Sequence, residues 1–165
     1  MGSDDRRVSW AELEAAAPDI AAAGQRLIHA RGDGEALLAT VRGDDLPRIH
    51  PVNVEIVDGR LYTFAIGRSP KRTDLEEDGR FALHTHQDPA APSEVSLRGV
   101  ARRVDAGPER DRVADGWAFT VDDSYVLFEL TIASALLGAR ETAEEWPPRY
   151  SVWPPRPGQA PPADR

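Results

Sequence analysis

The spacing of apolar residues changes once along the chain. From residue 9 to about residue 30, apolar side chains recur at helical intervals; from Glu35 onward they alternate or bunch in short runs bounded by Gly, Asp and Pro, as strands do. Ser9-Trp10-Ala11-Glu12 fits a capping box, in which a serine and a glutamate three residues apart satisfy each other's backbone N–H. It predicts a short helix, with Leu13 on its apolar face, that stops before Pro18. A second helix is expected from Pro18 to about Ala30, with Ile20, Ala23, Leu27 and Ala30 along one stripe. Arg31-Gly32-Asp33-Gly34 ends it as a turn.

Six strands are predicted after that, at 36–41, Arg48–Val57, Arg60–Ile66, 81–86, Glu94–Val104 and 124–132, with 135–140 extending the sheet. Asp58-Gly59, between the second and third, is a type I′ hairpin signal. Pro51 cannot donate to a ladder, so the second strand is expected to be an edge or a bulge there. In the fifth strand Val95, Leu97 and Gly99 share one face, and Ser96, Arg98 and Val100 the other. Residues Pro108–Asp115 are polar and read as a short helix. From Pro147 the chain is rich in proline and is expected to be extended or disordered. Consecutive hairpins with few helices predict a closed antiparallel barrel, mainly β, of α+β class.

One stretch departs from simple patterning. Residues 68–80 read RSPKRTDLEEDGR. Pro70 suits a first helical position, where no N–H is needed, and Ser69 then falls at the N-cap. Lys71 and Arg72 follow in the first turn, where the helix already carries partial positive charge and cations are unfavourable. A bound anion such as a phosphate resolves that conflict; a solvated Lys-Arg pair at a loop edge is the alternative reading.

Composition narrows the classes. A chain of 165 residues fits one domain with a sizeable core. A net charge of −8 and the lack of a basic block argue against a nucleic-acid partner. Without cysteine there is neither a disulfide nor a thiolate metal site. The first residues hold no apolar signal core, and no apolar run reaches membrane length. The expectation is a cytoplasmic protein with no membrane partner.

The order of motifs from Arg48 to Val104 resembles the flavin-binding split-barrel family that includes the pyridoxamine 5′-phosphate oxidases and the deazaflavin-dependent reductases. A strand opens with Arg48, a hairpin leads to Tyr62-Thr63, and Ser69-x-Lys71, Leu75-Glu76-Glu77-Asp78-x-Arg80 and a strand carrying Gly99 follow. The resemblance implies a six-stranded antiparallel split β-barrel with N-terminal helices and short crossover helices. The chain then divides into a helical segment at 1–34 packing on the barrel, the flavin-binding barrel at 35–146 and a tail at 147–165. It implies FMN, or alternatively a deazaflavin coenzyme, bound between two subunits of a homodimer that acts on a small organic substrate. Arg48, Ser69 and Lys71 would hold the cofactor phosphate, with Arg72 standing in for the oxidases' arginine at the place Pro70 occupies. Ile49, His50, Pro51, Tyr62 and Thr63 would lie along the cofactor, Thr63 by the ring or ribityl chain. Asn53, Arg98 and Trp146 are further candidates for ring or substrate contact.

Several departures argue against pyridoxamine phosphate oxidation itself. Asn53 takes the place of a lysine, Glu94 of a glutamine, and Trp146-Pro147-Pro148-Arg149 stands where an Arg-x-His pattern would close the oxidases' substrate pocket. No nucleophile–base pair is recognisable, so no catalytic residue is assigned; a flavin enzyme needs few, because the cofactor carries the hydride. The second class of reading is a non-catalytic flavin- or haem-binding protein.

The remaining candidates have plain structural alternatives. His84 and His86, two residues apart on one strand face, could ligate a metal, but two histidines alone make a poor site, and no metal is expected. His50 precedes Pro51 and could be structural. Trp117, Trp146 and Trp153 could stack on a flavin or pack in a core or an interface. The run Glu76-Glu77-Asp78 reads as a solvated helix face.

Overall fold

In the computed structural model, which describes residues 6–155, two helices precede a single sheet of seven strands, and two further helices lie between its strands. Strands β1 (Glu35–Thr40), β2 (Arg48–Val57), β3 (Arg60–Ile66), β4 (Arg80–Thr85), β5 (Glu94–Val104), β6 (Tyr125–Ala139) and β7 (Arg149–Trp153) form one sheet in the order β3-β2-β1-β4-β5-β6-β7. Every recorded pairing is antiparallel, and β3 also pairs with β6, which closes β1–β6 into a six-stranded barrel with β7 outside the closure. Closure leaves few unpaired sheet edges, chiefly β7 and the first half of β2.

The local signals act as their chemistry dictates. Asp58 and Gly59 take φ of 49° and 71°, both positive as a type I′ turn needs. β2 pairs with β1 over residues 48–53 but reaches β3 only from Val54 to Val57, so Pro51 lies where the strand has one neighbour. Gly99 sits where β5 and β6 approach closely. A Cβ there would come within 1.8 Å of the Thr131 carbonyl oxygen. Between its pairings of Ile132 with Gly99 and Ser134 with Arg98, β6 holds one extra residue, Ala133. That bulge lets a single strand run for 15 residues where two pieces are predicted from the sequence.

The barrel interior is filled by Leu38, Val54, Leu61, Leu83, Leu97, Phe128, Leu130 and Ile132, all buried. Helices α1 (Trp10–Ala16) and α2 (Pro18–Ile28) add Trp10, Leu13, Ile20, Leu27 and Ile28 to the same cluster. The buried face of α2 runs through Ile20, Ala21, Gly24, Leu27 and Ile28; of the predicted stripe, Ala23 is only partly covered and Ala30, past the end of the helix, is exposed. A second cluster of Tyr62, Phe64, Val104, Val113 and Leu127 lies under α4 (Pro108–Asp115). Residues 149–153 of the proline-rich tail are extended because they pair with Ala135–Ala139 of β6; the expectation for residues 156–165 falls outside the described residues. Among the described residues no helix is long and apolar enough to cross a membrane.

Candidate functional site

Helix α3 (Pro70–Glu77) links β3 to β4, and its start builds the site. Ser69 is the N-cap: its hydroxyl accepts from the Arg72 backbone N–H at 3.4 Å and donates to the Ile66 carbonyl at 2.9 Å. Gly79, at φ 81°, ends the helix by donating its N–H to the Asp74 carbonyl. One turn in from the start, Asp74 is buried and ties α3 to the barrel. It accepts from the Thr40 hydroxyl at 2.8 Å and from Arg48 Nη1 at 3.0 Å on both oxygens.

That arrangement sorts the predicted phosphate ligands. Arg48 is neutralised by Asp74, with Asp45 a further 3.5 Å neighbour. Arg72 donates to the Gly67 carbonyl at 2.7 Å and to Glu76 at 3.1 Å, so its charge serves its own helix. Lys71 is different. It is partly buried, has no hydrogen bond or ion pair among the described residues, and burial alone pushes its pKa down. It lines a cavity of about 210 Å³ with Pro51, Val52, Asn53, Phe64, Ile66, Trp117, Phe119 and Tyr125. Trp117 meets Phe64 edge to face at 4.8 Å, and its Nε1 is buried with no hydrogen-bond partner. Lys71 is therefore a cation lining the cavity with no acceptor committed to it among the described residues. Of its lining residues Ile66 is 48 % exposed and Phe119 41 %, so the cavity opens beside apolar surface.

The other predicted residues spread further. His50 is partly buried, its Nε2 3.1 Å from the Thr40 hydroxyl oxygen, and it does not line the Lys71 cavity. Thr63 is buried and donates to the Asn53 carbonyl at 2.8 Å, while the Asn53 amide donates to the Asp33 carbonyl at 2.6 Å. Tyr62 lies under α4 and donates to Glu109; burial, then Glu109, push its pKa up to about 12. Trp146 is exposed beneath the Arg140 guanidinium, 5.5 Å from its ring. Arg98 and Arg102 do not share a role. Arg102 is bound by buried Glu129 and by Glu109, whereas Arg98 donates to the Ser134 hydroxyl and lines a separate groove of about 1050 Å³ with Arg80 and Trp153.

β4 ends at Thr85, so His86 lies beyond the strand it was expected to share with His84. His84 is held by Glu94 at 3.1 Å and by the Thr85 carbonyl at 2.6 Å. Glu76 and Asp78, expected to be solvated, pair with Arg103 and Arg80. Among the described residues no group of three or more His, Asp or Glu side chains could hold a metal.

No family model and no curated protein matches the chain. Solved structures do. A NimC/NimA family protein from Clostridium acetobutylicum superposes with a TM-score of 0.59 at 15 % identity, over 79 % of this chain and 93 % of that one. A candidate pyridoxamine 5′-phosphate oxidase from Listeria innocua gives 0.53 at 18 %, over 66 % and 90 %. A heme binding protein from Mycobacterium smegmatis gives 0.59 at 20 %, over 79 % of this chain and 57 % of that one. At these identities the likeness is one of fold: the chain has the split-barrel fold of the pyridoxamine 5′-phosphate oxidase-like proteins.

Proposed function

We propose that the chain is a flavin-binding oxidoreductase. It binds FMN with the phosphate at Lys71 and transfers hydride to or from a small organic substrate other than pyridoxamine phosphate. The observation that carries this reading is the partly buried Lys71 at the start of α3, which lines this cavity and has no hydrogen bond or ion pair among the described residues. Burying a cation without a partner is costly, and a phosphate supplies the missing acceptors. The residues fit the phosphate end of the group. A cavity of about 210 Å³ is smaller than the roughly 300–1,000 Å³ that encloses a whole ligand of drug size, so it would hold the phosphate end and leave the rest of the flavin outside. When bound, the flavin supplies the hydride chemistry; Lys71 neutralises its phosphate, Ser69 fixes the start of α3, and Asp74 holds that helix against β1 and β2. Arg48 acts through Asp74 and positions the cradle.

A homodimer follows from the same incompleteness, since a second copy would wall the exposed side of the ring. Sedimentation velocity of the flavin-free and flavin-loaded protein is expected to give a dimer in both cases. A monomer that binds FMN tightly would contradict a shared site.

A haem-binding reading is favoured by the likeness to the Mycobacterium smegmatis heme binding protein. Titrating the apo-protein with FMN, a deazaflavin coenzyme and hemin in parallel separates the readings. FMN is expected to bind most tightly. A dominant Soret band with hemin, or a deazaflavin affinity well above that for FMN, would overturn the assignment.

A further inference from the structure

The face of β5 that lies opposite buried Val95 and Leu97 carries a second recess, the groove of about 1050 Å³. Strand register builds it in two adjacent rows. Arg98 of β5 lies opposite Ser134 of β6; two residues along, Ser96 lies opposite Leu136, which in turn pairs with Val152 of β7. All five line the groove. Residues two apart on one strand face are separated by roughly 7 Å, so a polar row and a largely apolar row stand side by side.

The charge of this groove is one-sided. Arg6, Arg80 and Arg98 line it, and among the described residues no Asp or Glu does, on a chain of net charge −8. Two of these cations have an acid nearby: Arg80 is held by both oxygens of Asp78, and Arg6 lies within electrostatic reach of Glu12. Arg98 is exposed, and its Nε donates to the Ser134 hydroxyl at 3.1 Å, which orients the guanidinium. Its two Nη groups have no hydrogen bond or ion pair among the described residues. The Ser134 hydroxyl, used there as an acceptor, keeps its own proton to donate, and the Ser96 hydroxyl has no partner among the described residues.

We propose that the groove binds an organic carboxylate with a flat apolar body. The paired Nη groups of a guanidinium match the two oxygens of a carboxylate, and the Ser134 hydroxyl adds a third donor. One row on, Leu136 and Val152, with Trp153 next in β7, cover the apolar body. A phosphate monoester carries up to two charges and would call for a second uncommitted cation, whereas Arg80 is already held by Asp78. The groove of about 1050 Å³ is ample beside the roughly 300–1,000 Å³ of sites that enclose drug-sized ligands. It shares no lining residue with the Lys71 cavity, so the inference does not rest on the flavin reading.

Amide chemical-shift mapping of the ¹⁵N-labelled full chain tests this with two probes, naphthoate and its neutral isostere naphthamide. Naphthoate is expected to shift the amides of residues 96–100, 134–136 and 151–153. Naphthamide binding to wild type, and naphthoate binding to Arg98→Met, are each expected to be weaker by roughly 10- to 150-fold, the loss of a charge-assisted hydrogen bond. Methionine keeps the unbranched stem and removes only the donors, so the variant should bind naphthamide as wild type does. Lys71→Met is expected to leave the naphthoate shifts unchanged, which separates this groove from the flavin site. Equal binding of acid and amide, equal binding of naphthoate to wild type and Arg98→Met, or shifts confined to the Lys71 cavity would overturn the inference. Absence of any perturbation, as when a second copy closes the groove, would overturn it too. Should Arg98→Met fail to fold, the comparison of acid with amide on wild type decides.

Discussion

Replacing Lys71 by methionine separates a ligand-binding lysine from an ordinary one, because the two effects have opposite signs. Methionine keeps the unbranched stem and a similar helix propensity, so the α3 fold is little disturbed. In the free protein the substitution removes a partly buried cation that no acceptor offsets. It also removes positive charge from the first turn of α3, a position worth about 0.3–1 kcal/mol. The flavin-free variant should thus be more stable by about 1 kcal/mol, which for a chain of this size raises Tm by roughly 2–4 °C. Loss of a hydrogen bond to a charged group costs about 1.5–3 kcal/mol, so FMN affinity should fall by roughly 10- to 150-fold. Thermal unfolding without ligand and titration calorimetry with FMN read the two sides on one preparation. A variant that melts lower than wild type, or binds FMN equally well, would refute the reasoning, since either result means the Lys71 ammonium already has what it needs.

Two further outcomes follow from pairs elsewhere in the fold. Asp74→Ala removes the acceptor of the Thr40 hydroxyl and of Arg48 Nη1, leaving part-exposed Arg48 only Asp45; losing hydrogen bonds to a charged group costs about 1.5–3 kcal/mol, to be read as a lower urea midpoint with an unchanged m-value. His29 has Nε2 2.9 Å from Glu55 and Nδ1 2.9 Å from the Gln25 carbonyl. Burial opposes its charge, but the Gln25 and Glu55 contacts outweigh this and hold its pKa above 6.5. The contact therefore stabilises the fold fully below pH 6.5, and the gain is lost as pH rises through the folded-state pKa. Stability of wild type relative to His29→Gln, measured by urea unfolding from pH 5 to 9, should be largest at the acid end by under about 1 kcal/mol for so exposed a pair; a constant difference would show that the histidine is not linked.

Much of the barrel is legible in the sequence because its signals are local. The bounds of β2, β3, β5, α3 and α4 follow from turn and cap residues such as Asp58-Gly59, Ser69-Pro70 and Pro108. β7 is hidden because Pro147, Pro148, Pro154 and Pro155 surround five residues that become a strand only by pairing with the far half of β6. The length of β6 is hidden by the bulge at Ala133, which breaks the alternation that reveals strands.

The candidate site divides in the same way. The helix start and its free lysine can be read from Ser69-Pro70-Lys71. That Arg48 is neutralised cannot, because its partner Asp74 lies 26 residues on and looks like one more acid in an acidic helix. A polar residue of short reach beside Leu75 on the buried face of α3 is the signal that could have revealed it. The aromatic wall takes Trp117 and Phe119 from a loop without periodicity and Tyr125 from the first residue of β6, and the pairing of β3 with β6 brings it to Lys71.

The central claim is that Lys71 and its cavity hold the phosphate of a flavin. Riboflavin differs from FMN only in lacking that phosphate, so their relative affinities for the wild-type apo-protein, measured by flavin fluorescence quenching, test the claim most directly. FMN is expected to bind more tightly by about 1.5–3 kcal/mol, the worth of charge-assisted hydrogen bonds to the phosphate. Equal affinities, or the absence of flavin binding, would contradict it.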